Sequence, residues 1–491
     1  MSTKLILAIL APWLTGTALG MPAWLIIVSG ITPWAAADIL ARNTEAISIK
    51  QAYTAVLLIE AVSCFATICW LISRKRCPEI KWSTSRWLFA VLTPAALIGI
   101  GLTMRGVIVE FPTDSFYYYH TNFALEQLTS KIGPGLGYNS GQNWYYSGQY
   151  FLWNLQNSLS IKTASGIAGL NSFLAILASG NLAWRLTRRW ELAWLCSLLF
   201  LVGFGNQSFS FIHQLSLNGT LIGIALILSA ATPLLDAVDA ATVEIGKLLG
   251  YTVLMTAIGW LAFKAHALAG YFTLNVLAAT WLSACIANSQ SRITRAITAG
   301  ASAATIAILR KKDYDPNLQA VSEYPEYMRI VHVRSFYGNT LLWFWPALPN
   351  STLEISLIAS TVFAAANIVI RSSGISAIAN SSVALSALPF IVYAEWLLPG
   401  VNDLTFKLIS PEVAYRIAWS SLFWISIPVM AMEISKALSS QHGKVDQWLK
   451  AVILAVVGLL SVPVHHGTES NILNSKVPHL LSPLELSLIH I

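Results

Sequence analysis

One feature limits the folds open to this chain more than any other: apolar runs follow one another along it, each about 16 to 24 residues long. They lie near 5–20, 22–40, 52–72 and 87–104, and then near 165–184, 192–208, 215–232, 248–264 and 266–287. Further runs lie near 294–309, 353–371, 375–398, 413–434 and 451–465. As a helix, each can cross a hydrocarbon core of about 30 Å, with some tilt or snorkelling at the shorter ones. Backbone groups in lipid must be satisfied within the segment, so helices are the assignment physics favours. The expected fold class is therefore all-α: a polytopic transmembrane helical protein of about 12–14 spans, the first pair and 294–309 being the weakest. Composition agrees, because 55% of the 491 residues are hydrophobic and only 11% charged. A soluble domain has about 25% charged residues.

Short basic loops set the orientation. Arg74, Lys75, Arg76, Lys81 and Arg86 precede the 87–104 run, Arg185, Arg188 and Arg189 follow 165–184, and Arg292 and Arg295 follow 266–287. Lys436, Lys444 and Lys450 surround the loop at 435–450. All fall on one side, which the positive-inside rule makes cytoplasmic. The loop 233–247, with Asp236, Asp239 and Glu244, is a mild exception. The net charge of +7 then reflects membrane orientation, and no nucleic acid is implied. The five cysteines fall in spans or in a basic loop, so no disulfide framework is expected.

The chain divides into N-terminal spans (1–104), a first large extracytoplasmic loop (105–164), central spans (165–309), a basic extracytoplasmic loop (310–352), C-terminal spans (353–465) and a tail (466–491). The tail ends LELSLIHI without a closing feature, and the natural chain is expected to continue past it.

The loop at 105–164 carries most of the polar chemistry. Glu110 and Asp114 form a lone carboxylate pair, and Tyr117, Tyr118 and Tyr119 lead into His120. Apolar Phe116, Tyr119, Phe123, Leu125 and Leu128 recur at roughly helical spacing, as in an amphipathic helix on a membrane surface. Asp114 stands just ahead of that helix, where an Asp is a favoured cap. A carboxylate held at a helix start is also a positioned base. Gly133-Pro134-Gly135-Leu136-Gly137 forces a turn, and Asn139, Ser140, Gln142 and Asn143 lead into Trp144, Tyr145 and Tyr146. Hydrogen-bonding side chains beside flat aromatic faces suit sugars, which present hydroxyl edges and apolar C–H faces. An interfacial aromatic belt is the simpler role for the tyrosines.

This order of elements resembles the GT-C superfamily of membrane glycosyltransferases. More narrowly, Asp114, Tyr119-His120, Pro134-Gly135-Leu136-Gly137, Asn139-Ser140 and Trp144 resemble the first large loop of a group of bacterial multi-span GT-C-like proteins. The specific likeness covers about 35 residues. It implies that Asp114 acts as the base on an acceptor hydroxyl, with Glu110 available to share the site, although Glu110 fits better as a snorkelling carboxylate at a span end. Tyr119, His120, Asn139, Ser140 and Trp144 would line the substrate site. The group's Lys at the end of a later span has a counterpart in Phe263-Lys264-Ala265-His266, so Lys264 and His266 would meet the phosphate of a polyprenyl-linked sugar donor. Simple snorkelling explains Lys264 equally well. One departure stands out: Ser216-Leu217-Asn218 occupies a loop where the group often holds an Asp.

Cations also gather outside, in 310–352, where Arg329, His332 and Arg334 are the tightest group and the run Leu341–Trp345 is too short to span. They suit phosphate or pyrophosphate, or anionic lipid headgroups. No GxxxxGK[ST] or GxGxxG motif is present, so no nucleotide cofactor is expected. No metal ligand set is assigned, and a divalent cation stays open. The leading expectation is an integral-membrane glycosyltransferase of a bacterial inner membrane, with the bilayer and a polyprenyl-linked donor as partners and its site facing out. A transporter or flippase of lipid-linked glycans would need charge near span midpoints and paired broken helices, and the spans are nearly free of midpoint charge. A non-catalytic partner in envelope polysaccharide assembly is the third expectation.

Overall fold

The computed structural model describes residues 3–44, 47–73, 161–202, 219–239, 245–288, 328–334, 340–346, 351–372, 378–397 and 411–439. In order these form α1 (Thr3–Ala18), α2 (Ala23–Thr44), α3 (Ile49–Ser73), α4 (Ile161–Thr187), α5 (Trp190–Val202) and α6 (Gly219–Val238). There follow α7 (Ile245–Ala265), α8 (Ala267–Asn288), a strand pair β1 (Met328–Arg334) and β2 (Thr340–Pro346), α9 (Ser351–Ser372) and α10 (Asn380–Leu397). A 3-10 helix, Pro411–Ser421, leads into α11 (Phe423–Ser439). Among the described residues the fold is all-α apart from that one antiparallel hairpin. Among the described residues, six segments are long and apolar enough to cross a membrane: Ala23–Ala41, Lys50–Ser73, Gly219–Val238, Gly246–Ala265, Leu268–Ile286 and Arg416–Ala437. They mark an integral membrane protein associated with the bilayer. The expected runs at 87–104, 294–309 and 451–465 lie outside the described residues.

The bundle is organised around α6, which packs against α2, α4, α7, α8 and α10. Its sequence, GTLIGIALILSAATPLLDAV, is apolar all round, the pattern of a helix with no face for water. Small residues let its neighbours approach closely, as membrane helices require. A Cβ placed on Gly223 would lie 2.8 Å from the Ala269 Cβ of α8. By contrast α3 presents Leu58, Ile59, Val62, Phe65 and Ile72 outward, which suits hydrocarbon and not water. Polar contacts stitch the interior: the Asn367 amide donates to Ser382 Oγ and Ser386 Oγ, each at 2.9 Å, joining α9 to α10. Trp424 Nε1 donates to Ser179 Oγ at 3.2 Å, joining α11 to α4.

The span expected at 413–434 is broken. Ser420 and Ser421 donate to the carbonyls of Ile417 and Ala418, each at 2.7 Å, bonds that favour the tighter 3-10 winding. Leu422 then takes a φ of 50°, left-handed and costly for a branched side chain, before the α-helix resumes.

One end of the bundle is ionic. Arg185 pairs with Asp236, and Arg371 donates to the Ile378 carbonyl at 2.6 Å and to Asn380 Oδ1 at 2.7 Å. Lys436 donates to Glu433 at 2.7 Å. Asp239 accepts from the Ser381 N–H at 2.7 Å and from its hydroxyl, capping the start of α10 from another element. The acidic exception at 233–247 thus has a physical account: Asp236 neutralises an arginine, and Asp239 closes a helix.

Candidate functional site

The opposite end is where α7 turns into α8. Lys264 falls in the last turn of α7, a position that favours a cation beside the carbonyl end of the helix. Its Nζ lies 5.8 Å from the Trp260 ring centroid and 6.0 Å from that of Phe263, within cation–π range. His266 is the cap of α8. Its Nδ1 accepts from the Leu268 N–H at 3.3 Å, so the ring proton belongs on Nε2. Burial, and then the charge of Arg416 on the 3-10 helix, push its pKa down to about 3. His266 is therefore neutral at pH 7. It can donate one hydrogen bond to a ligand but adds no charge for a phosphate.

Below this rim lies a buried polar group that joins three elements. Glu395 of α10 accepts from the Asn275 amide of α8 at 3.0 Å, and the same amide nitrogen donates to Ser420 Oγ of the 3-10 helix at 2.7 Å. Asn275 lies nine residues after His266, about 13 Å along a helix. The carboxylate thus lies inward of the rim and directly beside the broken span. Among the described residues, no three His, Cys, Asp or Glu side chains gather as a metal site.

Of the residues expected at a site, Lys264 and His266 come together on the α7–α8 turn, near Arg416. Arg329, His332 and Arg334 stand on β1, paired in register with Trp345, Leu342 and Thr340 of β2. The run at 341–345 is thus a strand, and β2 lies beside the 3-10 helix that carries Arg416. Glu110, Asp114, Tyr119, His120, Asn139, Ser140 and Trp144 lie outside the described residues. The described chain resumes at Ile161, the start of α4, at the close of the loop expected at 105–164. The far end of α4 carries Arg185, so Ile161 opens onto the same end as His266.

Four residues were missed by reading the sequence: Arg416, Asn275, Glu395 and Glu60. The spans, expected to be nearly free of midpoint charge, do hold buried carboxyl groups. Glu60 sits midway along the span Lys50–Ser73, where its Oε1 accepts from Trp34 Nε1 at 3.1 Å. Near the end of α2, Asp38 accepts from the Tyr53 hydroxyl at 2.9 Å. A signal was present for both glutamates, because each is a lone carboxylate in an apolar run, and such residues are functional candidates by default. No family model matches the chain, and neither a curated protein nor a solved structure shows similarity to it.

Proposed function

We propose that the chain is an integral-membrane glycosyltransferase that takes a sugar from a polyprenyl-phosphate-linked donor and passes it to an acceptor outside the cytoplasm. One observation carries this: Lys264, Arg416 and the strand bearing Arg329 and Arg334 belong to the end of the bundle at which α4 begins, and α4 begins where the expected 105–164 loop closes. A polyprenyl phosphate keeps its charge at headgroup level, where such cations meet it without crossing lipid. Asp114 would take the proton from the acceptor hydroxyl, and the cations would hold the departing phosphate where its charge develops. With one carboxylate in that role, direct displacement and inversion at the anomeric carbon are expected. The site would face the extracytoplasmic side of a bacterial inner membrane.

Asp114→Asn tests this in cells. The variant should reach the membrane at the wild-type level and lose transfer product by at least 100-fold, read by mass spectrometry of lipid-linked glycans. Unchanged product would remove Asp114 from the chemistry and the proposal with it. A second reading, transport of the lipid-linked glycan, is favoured by the buried mid-span Glu60 and by the broken span beside Glu395. It predicts normal product chemistry in Asp114→Asn but impaired translocation in Glu395→Gln.

A further inference from the structure

We propose that Glu60 is a proton-binding site in the middle of the membrane, its side chain held as the neutral carboxylic acid against the Trp34 indole. The inference stands apart from the choice between transferase and transporter. Glu60 has ten residues of its span before it and thirteen after it, so it lies about 15 Å or more from either end. That depth is about half the hydrocarbon thickness. The side chain is only 7% exposed. Among the described residues, its Oε1 has the single donor Trp34 Nε1, and its Oε2 is buried with no hydrogen-bond partner.

An ionised carboxylate survives burial by accepting several hydrogen bonds or by pairing with a cation. Among the described residues neither condition holds. The helices packed against α3 are chiefly α1 and α2. Their titratable residues are Lys4, in the first turn of α1, Arg42, in the last turn of α2, and Asp38, which is engaged with Tyr53. On α3 itself Lys50 is at the start, Tyr53 two turns away, and Cys64 and Cys69 lie beyond. An unpaired charge at this depth costs several kcal/mol, whereas an unpaired acid hydroxyl costs about 1–3 kcal/mol. The protonated form wins that comparison. Polar lining leads towards it from the α2–α3 turn: Asp38 and Tyr53 are hydrogen-bonded, and the Tyr53 ring centroid lies 5.5 Å from that of Trp34, whose N–H reaches Glu60.

Two measurements on the full chain in phospholipid nanodiscs test the proposal. Infrared difference spectra between wild type and Glu60→Gln at pH 7 should contain the C=O band of one carboxylic acid. Carboxylate bands in its place would overturn the assignment. Dicyclohexylcarbodiimide, a hydrophobic reagent, needs no variant. The acid oxygen bonds to its central carbon and the acid proton moves to one of its nitrogens, so the whole reagent is added. The peptide spanning 50–73 should gain the reagent's mass at Glu60, and Glu60→Gln should abolish the adduct. Adducts confined to other carboxyl groups, with no acid band lost in Glu60→Gln, would sink it.

Discussion

The charge state of single side chains decides what the rim around Lys264 can do. His266 is the clearest case, because its pKa is pushed down to about 3 by burial and by Arg416, against about 6.5 in an unfolded chain. Between those values the unfolded chain binds a proton that the folded chain does not, so stability falls as pH drops below about 6.5 and goes on falling towards 3. At pH 5 the loss from this one group is about 1–2 kcal/mol. His266→Asn keeps a capping side chain and removes the titration. The melting temperature of wild type should fall more steeply between pH 7 and pH 5 than that of the variant, measured in the same detergent. Parallel slopes would mean that His266 takes up its proton in the fold as readily as in the unfolded chain. Such chemistry was half legible in the sequence. Lys264 and His266 were visible because they interrupt an apolar run at its end. The capping role of His266 and its neighbour Arg416, 150 residues further on, depend on tertiary proximity, which no local pattern encodes.

Helices were more legible than their joints. Apolar length alone located α7 and α8 to within three residues at each end and α6 to within six, since a lipid-facing or buried helix has no alternative way to satisfy its backbone. The 3-10 stretch at 411–421 and the hairpin at 328–346 were not foreseen: the first hinges on two serines turning back on their own backbone, the second on pairing between separate segments. Contact between helices rests on small residues. A Cβ on Gly259 of α7 would approach the Thr273 Cβ of α8 to 2.9 Å, and would come closer still to its Cγ2 and Oγ1. Thr273 cannot turn away freely, because its hydroxyl donates to the Ala269 carbonyl at 2.9 Å. Gly259→Ala should therefore separate α7 from α8 and destabilise the protein by about 1–3 kcal/mol, despite alanine's better helix propensity. Gly250→Ala on the same helix, where an added Cβ meets nothing within 4 Å, should be neutral or slightly stabilising. Thermal unfolding of both variants in detergent checks the contrast, and equal effects would show that the α7–α8 approach is looser than described.

For the whole molecule, the two ends of the bundle differ in kind, and that difference carries the functional proposal. One end closes on itself through Arg185–Asp236, Asp239–Ser381, Arg371–Asn380 and Lys436–Glu433, pairs that use up charge within the protein. The other end presents Lys264 over aromatic rings, together with Arg416 and the strand pair. The positive-inside count assigns the first end to the cytoplasm, and hydrogen bonds from Asn380 to the Val238 carbonyl, from Ser381 to Asp239 and from the Ala379 N–H to Glu433 independently gather Arg185, Arg371 and Lys436 into the same half of the bundle. A donor phosphate outside the cytoplasm can reach the second end only if both assignments hold together. Single cysteines at Arg188 and at Lys264, in a background lacking the five native cysteines, test this directly. Arg188 is exposed in the turn between α4 and α5, and Lys264 lies at the opposite end of the helical bundle. A membrane-impermeant maleimide added to intact cells should label the cysteine at 264 and spare the one at 188. Inverted vesicles should reverse the pattern. Labelling of both from the same side would contradict the helical arrangement itself. A clean but inverted pattern would keep the fold and turn the Lys264 end, with the start of α4, towards the cytoplasm, where an extracytoplasmic transfer reaction could not use it.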